Sequence, residues 1–432
     1  MKSNVPEFHE GQTSRRRIGI IVAILFITLL VISLVIALNL VRQSRTAVGS
    51  HSLASASQLG VYVGSGDGIL YKLDAKSGSL IWHQQIDGSH MPAPPTVADG
   101  VVYYGSRDGS IHARNSATGS QLWSYQTGSS VLSSPVVVNG TVYVGSSNNY
   151  LYALDAKSGK QLWRYNAATG TGAATSATAA VDVGTAVIVN GVVYGQASDN
   201  VNHSYLFALD AANGAQVWRS QINDQIFSNL QVDNGEVYIA SSAITQQGGP
   251  GTTDSYAYAF NAKNGTQTWR SAKISDVISG APAVANGVVY VGSKDTNVYA
   301  LDAKTGSSLW HYNAGGAIYT SLQVVNGVLY AGVASSVSTV TNNLKINTSV
   351  DSTSTSGSII ALNVNATTGS LRWRHPLDKY IGSPLAVDKN VVYVGTNNNF
   401  VYALSATGGS QVWSYQIASS VPFNNAPITV AP

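Results

Sequence analysis

Hydrophobic and polar positions alternate in short runs along nearly the whole chain. The cleanest stretch is Val142-Tyr143-Val144-Gly145, a polar break, and then Leu151-Tyr152-Ala153-Leu154-Asp155-Ala156-Lys157-Ser158-Gly159-Lys160-Gln161-Leu162-Trp163. Short period-two runs bounded by Gly, Asn, Asp and Ser predict strands joined by tight turns, not helices. Residues 134–138 predict a first short strand, with Pro135 tolerable near its start. Asn139-Gly140 is a two-residue hairpin turn needing positive φ. Residues 141–145 predict a second strand, 146–149 a polar turn and 150–154 a third strand. In the next turn, 155–159, Asp155 caps local amides and Gly159 takes the strained position. Residues 161–165 predict a fourth strand.

The phrase recurs. Every tryptophan belongs to a copy: Trp82, Trp123, Trp163, Trp218, Trp269, Trp310, Trp373 and Trp413. A glycine stands four residues before each, and a tyrosine marks the earlier strand: Tyr62, Tyr103, Tyr143, Tyr194, Tyr238, Tyr290, Tyr330 and Tyr393. Four antiparallel strands per roughly 40 residues is the blade of a β-propeller. The expected fold is therefore all-β, an eight-bladed β-propeller of four-stranded antiparallel blades over residues 59–432. Each Trp, on the outer strand, is expected to lie over an Asp–Gly turn. Spacings between successive Trp of 41, 40, 55, 51, 41, 63 and 40 residues locate the insertions. These are 167–180 between the third and fourth blades, 241–255 inside the fifth and 333–358 inside the seventh. Residues 61–64 have no inner strand before them, and 425–430 read as an inner strand with no blade after it. The C-terminal strand is expected to complete blade one and remove the free sheet edges.

Ahead of the repeats, residues 1–17 form a polar tail ending in Arg15-Arg16-Arg17. Residues 18–41 then run without a charge. At about 1.5 Å per residue, a helix of that length crosses a hydrocarbon core of roughly 30 Å. The alternative is a cleaved signal peptide with Ala54-Ser55-Ala56 as its small-residue site. That site lies far beyond an apolar run already too long for such a leader. The expectation is one transmembrane helix at 18–41 in the cytoplasmic membrane, with its positive N-terminal side cytoplasmic and the propeller outside. Residues 42–58 read as a flexible stalk. Only 10% of residues are charged and the formal net charge is +3, part of it in the N-terminal arginines, so nucleic acid is not an expected partner. With no cysteine, disulfides, thiolate sites and lipid-modified cysteine are excluded.

The phrase Tyr-Val-Gly-Ser … Leu-Tyr-Ala-Leu-Asp-Ala-Lys-Ser-Gly … Leu-Trp resembles the tryptophan-docking repeat of pyrroloquinoline quinone (PQQ)-type propellers, and does so over about residues 59–430. That resemblance implies one of two branches: quinoprotein dehydrogenases holding PQQ and calcium, or non-enzymatic scaffolds of the cell envelope. Calcium wants clustered carboxylates. The chain has three glutamates, and Glu7 and Glu10 precede the apolar run, leaving Glu236 alone. Asp74, Asp155, Asp210 and Asp302 occupy the repeated turn, where Asn115, Asn261 and Ser405 stand elsewhere, so that slot needs a capping oxygen and not a charge. No histidine pair shows a zinc spacing. No cofactor is expected, with PQQ and calcium kept as the alternative, and the reading leans away from an enzyme.

Loops between second and third strands share a face with the connections between blades, and all insertions fall in these loop types. On that face the starts of the inner strands bring Met91, Leu132, Phe227, Ile278, Tyr319, Tyr380 and Phe423 toward the central mouth. They are the candidate binding residues for a protein partner in the envelope. The competing expectation for each is ordinary packing between blades.

Overall fold

The computed structural model describes residues 59–86, 91, 93–170, 181–199, 204–226, 228–243, 254–278, 280–334, 356–379, 381, 384–418 and 428–431. The chain divides into two units, Met1–Ser57 and Gln58–Pro432. The whole of the first, including the apolar run at 18–41, lies outside the described residues. Among the described residues no helix is long and apolar enough to cross a membrane.

The second unit is an all-β, eight-bladed propeller of antiparallel sheets. Blade 3 shows the basic pattern: Val136–Val138, Thr141–Gly145, Tyr150–Asp155 and Gln161–Asn166, in that order from the axis outward. Asn139 and Gly140 make its first hairpin with φ of 50° and 74°, the left-handed pair that a two-residue turn demands. In every blade the ladder between third and outer strands slips by one residue just before the Trp, as between Ala153 and Leu154 opposite Trp163 and Gln161. This bulge turns the preceding residue outward, so Leu122, Leu162, Val217 and Val412 are exposed on the rim.

Among the described residues there is no single core. Buried side chains fall into eight clusters, each spanning two adjacent blades. The seam between blades 3 and 4 shows why. The Trp163 indole crosses to blade 4 and donates its N–H to the Ala211 carbonyl at 3.0 Å. Tyr143 donates its hydroxyl to the same carbonyl at 3.3 Å. Gly214 lies against the ring: a Cβ there would stand 2.7 Å from an indole carbon, and its φ is 73°. Glycine is needed for both space and backbone. The turn under each Trp is thus that of the following blade. The step repeats from Trp82 to Ser116 (3.0 Å), Trp123 to Ala156 (2.9 Å), Trp218 to Ala262 (2.8 Å) and Trp269 to Ala303 (2.9 Å). It continues from Trp310 to Asn365, Trp373 to Ala406 and Trp413 to Ala75, each at 2.9 Å.

The docking turn is held rigid by its first residue. Asp155 accepts the N–H and hydroxyl of Ser158 at 2.8 and 2.6 Å, and these donors hold its carboxyl below the usual carboxylate range. Asn115 accepts the Thr118 N–H and hydroxyl, and Asn365 accepts the Thr368 N–H and the Thr367 hydroxyl, without a charge.

Two fasteners join the last blade to the first. Ile428–Ala431 pairs with Gly60–Gly64 as the inner strand of blade 1. Trp413 and Tyr393 of blade 8 both donate to the Ala75 carbonyl of blade 1.

The seam between blades 1 and 2 departs from the rest. Lys72 occupies the slot held by Ala113 and Ala153 in the next two blades, and its ammonium donates to Ser116 O at 3.0 Å. A Cβ on Gly60 would meet the Lys72 stem at 2.6 Å, so that glycine makes room for it. The Tyr62 hydroxyl is buried without a hydrogen bond among the described residues. Burial pushes its pKa up to about 12. Burial also holds the Lys72 ammonium below the usual lysine range.

Three outcomes follow from these seams. Ending the chain before Ile428 removes a buried Ile and a backbone ladder, and is expected to cost roughly 3–5 kcal/mol; an unchanged calorimetric midpoint would count against closure by this strand. Gly214→Ala forces a methyl against Trp163 and is expected to lose about 2 kcal/mol or more in urea unfolding. Burial, with Glu236, Asp233 and Asp302 nearby, pushes Tyr238 up to about 12, and burial, with Asp388 and Asp74, does the same for Tyr393. Unfolded tyrosines titrate near 10. Between those values the folded chain keeps protons that the unfolded chain has lost, so stability is complete below about pH 10 and falls as pH rises toward 12. The urea midpoint is expected to drop steeply above pH 10, and less steeply in the Tyr238→Phe, Tyr393→Phe double variant.

Candidate functional site on the connection face

The strand directions give the propeller two unlike faces. The turn face carries the Asn-Gly hairpins and the docking turns. The connection face carries the loops between second and third strands and the passages from blade to blade. Among the described residues, elaboration lies on the connection face. Blade 3 has a second strand of 5 residues, whereas Val192–Asp199, Glu236–Ala243 and Val328–Ala334 have 8, 8 and 7. The added lengths of blades 4, 5 and 7 gain extra inner strands: Val181–Val183, Gln225–Ile226 and Ala317–Ile318. Blade 4 corrects the sequence reading in part. Its longer hairpin, Val192–Asp199 with Ser204–Asp210, holds some of the excess attributed to 167–180. The Tyr-to-Trp interval is 24 positions there against 20 in blade 3, a signal the Trp spacing alone concealed.

The described candidate binding residues differ in burial. Met91 and Ile278 are 3% and 0% exposed. Met91 fills the space over Gly64, where a Cβ would stand 2.9 Å from it. Val131 against Gly105 and Ile318 against Gly292 occupy the same place in blades 2 and 6. These side chains are wedges that fix each blade-to-blade passage onto the end of a second strand. Leu132 follows the wedge Val131 and is 40% exposed. Tyr319 follows the wedge Ile318, is partly exposed, and carries the Lys294 ammonium 5.0 Å from its ring centre. Phe227, Tyr380 and Phe423 lie outside the described residues.

Reading one residue type at a time missed Lys294. Its slot, between Ser and Asp in the turn, holds Gly66 and Arg107 in the first two blades. Burial lowers the Lys294 pKa, opposed by Asp276. Its turn is strained: Thr296, a β-branched residue, has φ of 81°, where blades 3 and 8 place Asn149 at 77° and Asn399 at 67°. Asp295 in the same turn accepts the Tyr299 hydroxyl at 2.6 Å. Two further polar groups sit at the passages between blades. Gln196 stands where most blades have the second-strand glycine and donates to the Ser228 carbonyl of the passage into blade 5 at 2.5 Å. Asp224 accepts the hydroxyls of Ser241 and Tyr258, which ties the long hairpin of blade 5 to the passage before it.

Among the described residues no three of His, Asp or Glu come together as metal ligands. Asp224 and Asp295 are committed to tyrosine hydroxyls, and the docking-turn aspartates to backbone amides.

A family model described as outer membrane protein assembly factor BamB matches residues 39–202, 201–272, 253–345 and 347–431. The chain belongs to this BamB family of PQQ-like repeat propellers. No curated protein matches it in sequence. Among solved structures, BamB from Moraxella catarrhalis is similar, with a TM-score of 0.56 at 20% identity, over 85% of this chain and 92% of that one. The computationally designed protein Ika8 gives 0.61 at 18%, over 82% and 95%. Quinohemoprotein alcohol dehydrogenase from Comamonas testosteroni gives 0.61 at 14%, over 84% and 69%. At these identities the structural likeness is one of fold alone.

Thr296→Asn is expected to relieve the left-handed strain and raise stability by about 0.5–1 kcal/mol. The calorimetric midpoint measures it, and an unchanged or lower midpoint would show that the turn stores no such strain.

Proposed function

We propose that this chain is a membrane-anchored, extracytoplasmic module that binds a protein partner in the cell envelope without catalysing a reaction. One observation carries the reading. The scaffold is nearly uniform on its turn face, while lengthened hairpins in blades 4, 5 and 7 rise on the connection face. Loops on a rigid frame are where recognition is built. Leu132 and Tyr319, both uncovered in part, supply apolar contact area on the connection face. The family description, an assembly factor, supports a role in contact with other proteins. The uncharged run at 18–41 and the arginines before it support the anchor and its orientation.

A photo-crosslinking side chain at Leu132 tests the reading in intact envelopes. Protein adducts are expected from position 132 and not from Lys157 on the opposite face. Equal adducts from both positions, or none from Leu132, would defeat it. The fold shared with quinohemoprotein alcohol dehydrogenases supports a second reading, a PQQ-dependent dehydrogenase with a divergent site. Adding PQQ and calcium to the purified chain and following dye reduction separates the two. Saturable turnover would replace the non-catalytic reading.

A further inference from the structure

The triplet Asn-x-Ser/Thr, with x not proline, marks an acceptor for N-linked sugar in chains exposed outside the cytoplasm. It occurs here at Asn139, Asn202, Asn264, Asn347 and Asn365. Asn202 and Asn347 lie outside the described residues, and the other three are exposed on the turn face. Two of these share one geometry. The Asn264 carboxamide oxygen accepts the Thr266 N–H at 3.0 Å and the Thr266 hydroxyl at 2.8 Å. The Asn365 oxygen accepts the Thr367 N–H at 2.8 Å and the Thr367 hydroxyl at 2.9 Å. Asn139 instead sits at the left-handed position of a hairpin, with φ of 50°.

We propose that Asn264 and Asn365 are acceptors for N-linked glycans. The argument is chemical. A carboxamide nitrogen is a poor nucleophile because its lone pair is delocalised onto the oxygen. Two donors on that oxygen draw charge toward it and make the N–H more acidic. They also fix the side chain in a turn and leave the nitrogen as the reacting atom. The donor is an oligosaccharide joined to a lipid phosphate or diphosphate. A bond forms between Nδ2 and the anomeric carbon, the bond from that carbon to the phosphate oxygen breaks, and one amide proton leaves with the lipid phosphate. No electron is transferred.

Neither site disturbs the docking of blades. The Trp310 indole uses the Asn365 backbone carbonyl, and the turn uses the Asn365 side-chain oxygen, so Nδ2 is spare in both roles. Sugar at both positions would cover the turn face and leave the connection face open. The proposal rests on the extracytoplasmic placement above.

The test uses the full chain purified from its own envelope. Peptides containing Asn264 and Asn365 are expected to carry saccharide masses in tandem mass spectrometry. Thr266→Ala and Thr367→Ala, which keep both asparagines, are each expected to remove one glycan from the intact mass. Protease shaving of intact cells reads the placement separately. A chain that is shaved but yields both peptides bare overturns the proposal alone. A chain that resists shaving overturns the placement, and the proposal with it.

Discussion

An indole N–H and a phenol hydroxyl meeting one backbone carbonyl hold most neighbouring blades together. A four-stranded sheet is apolar on both faces here and cannot be stable alone, because nothing but the next sheet can cover it. The carbonyls of Ala156, Ala211, Ala303, Ala406 and Ala75 each receive a Trp and a Tyr from the preceding blade. Two donors on one acceptor satisfy three polar groups at the edge of an otherwise apolar seam. Leaving any of them buried and unpaired would cost about 1–3 kcal/mol. The glycine beneath each indole follows from the same contact: seven of the eight have the left-handed φ as well as the close approach, and Gly369, under Trp310, has the close approach alone.

A row of blades joined this way has two raw ends. Covering them requires the eighth seam to resemble the other seven, and it does: Trp413 reaches Ala75 as Trp163 reaches Ala211. The shared inner strand adds a second tie of a different kind, a backbone ladder that spans the two chain ends. The first seam shows how far the pattern can bend. Lys72 takes over the carbonyl that tyrosine reaches at five other seams, and Tyr62 is left buried beside it. The backbone path is kept because the lysine stem fills the volume that Gly60 leaves empty.

The division between faces has the same origin. Each docking turn is part of a seam, so the turn face cannot change without uncoupling two blades. At the connection face a blade needs only one wedge, such as Met91 or Val131, on the end of its second strand. Beyond that wedge the hairpins are free to lengthen, and those of blades 4, 5 and 7 have done so. A surface open to recognition therefore lies where packing makes the fewest demands.

The sequence by itself determined the repeat, the four strands of each blade, the number of blades and the face on which insertions fall. Period-two alternation, Asn-Gly turns and Trp–Gly spacing are local, and local geometry is written in neighbouring residues. Only the tertiary structure decided that each Trp docks on the turn of the following blade, because an interval of about 40 positions along the chain is silent about which copy a ring will touch. It also separated the candidate binding residues, burying Met91 as a wedge and Ile278 in the seam between blades 5 and 6 while leaving Leu132 and Tyr319 in part uncovered. A one-residue step along a passage decides whether a side chain faces a seam or the solvent, and that step depends on where the next blade sits.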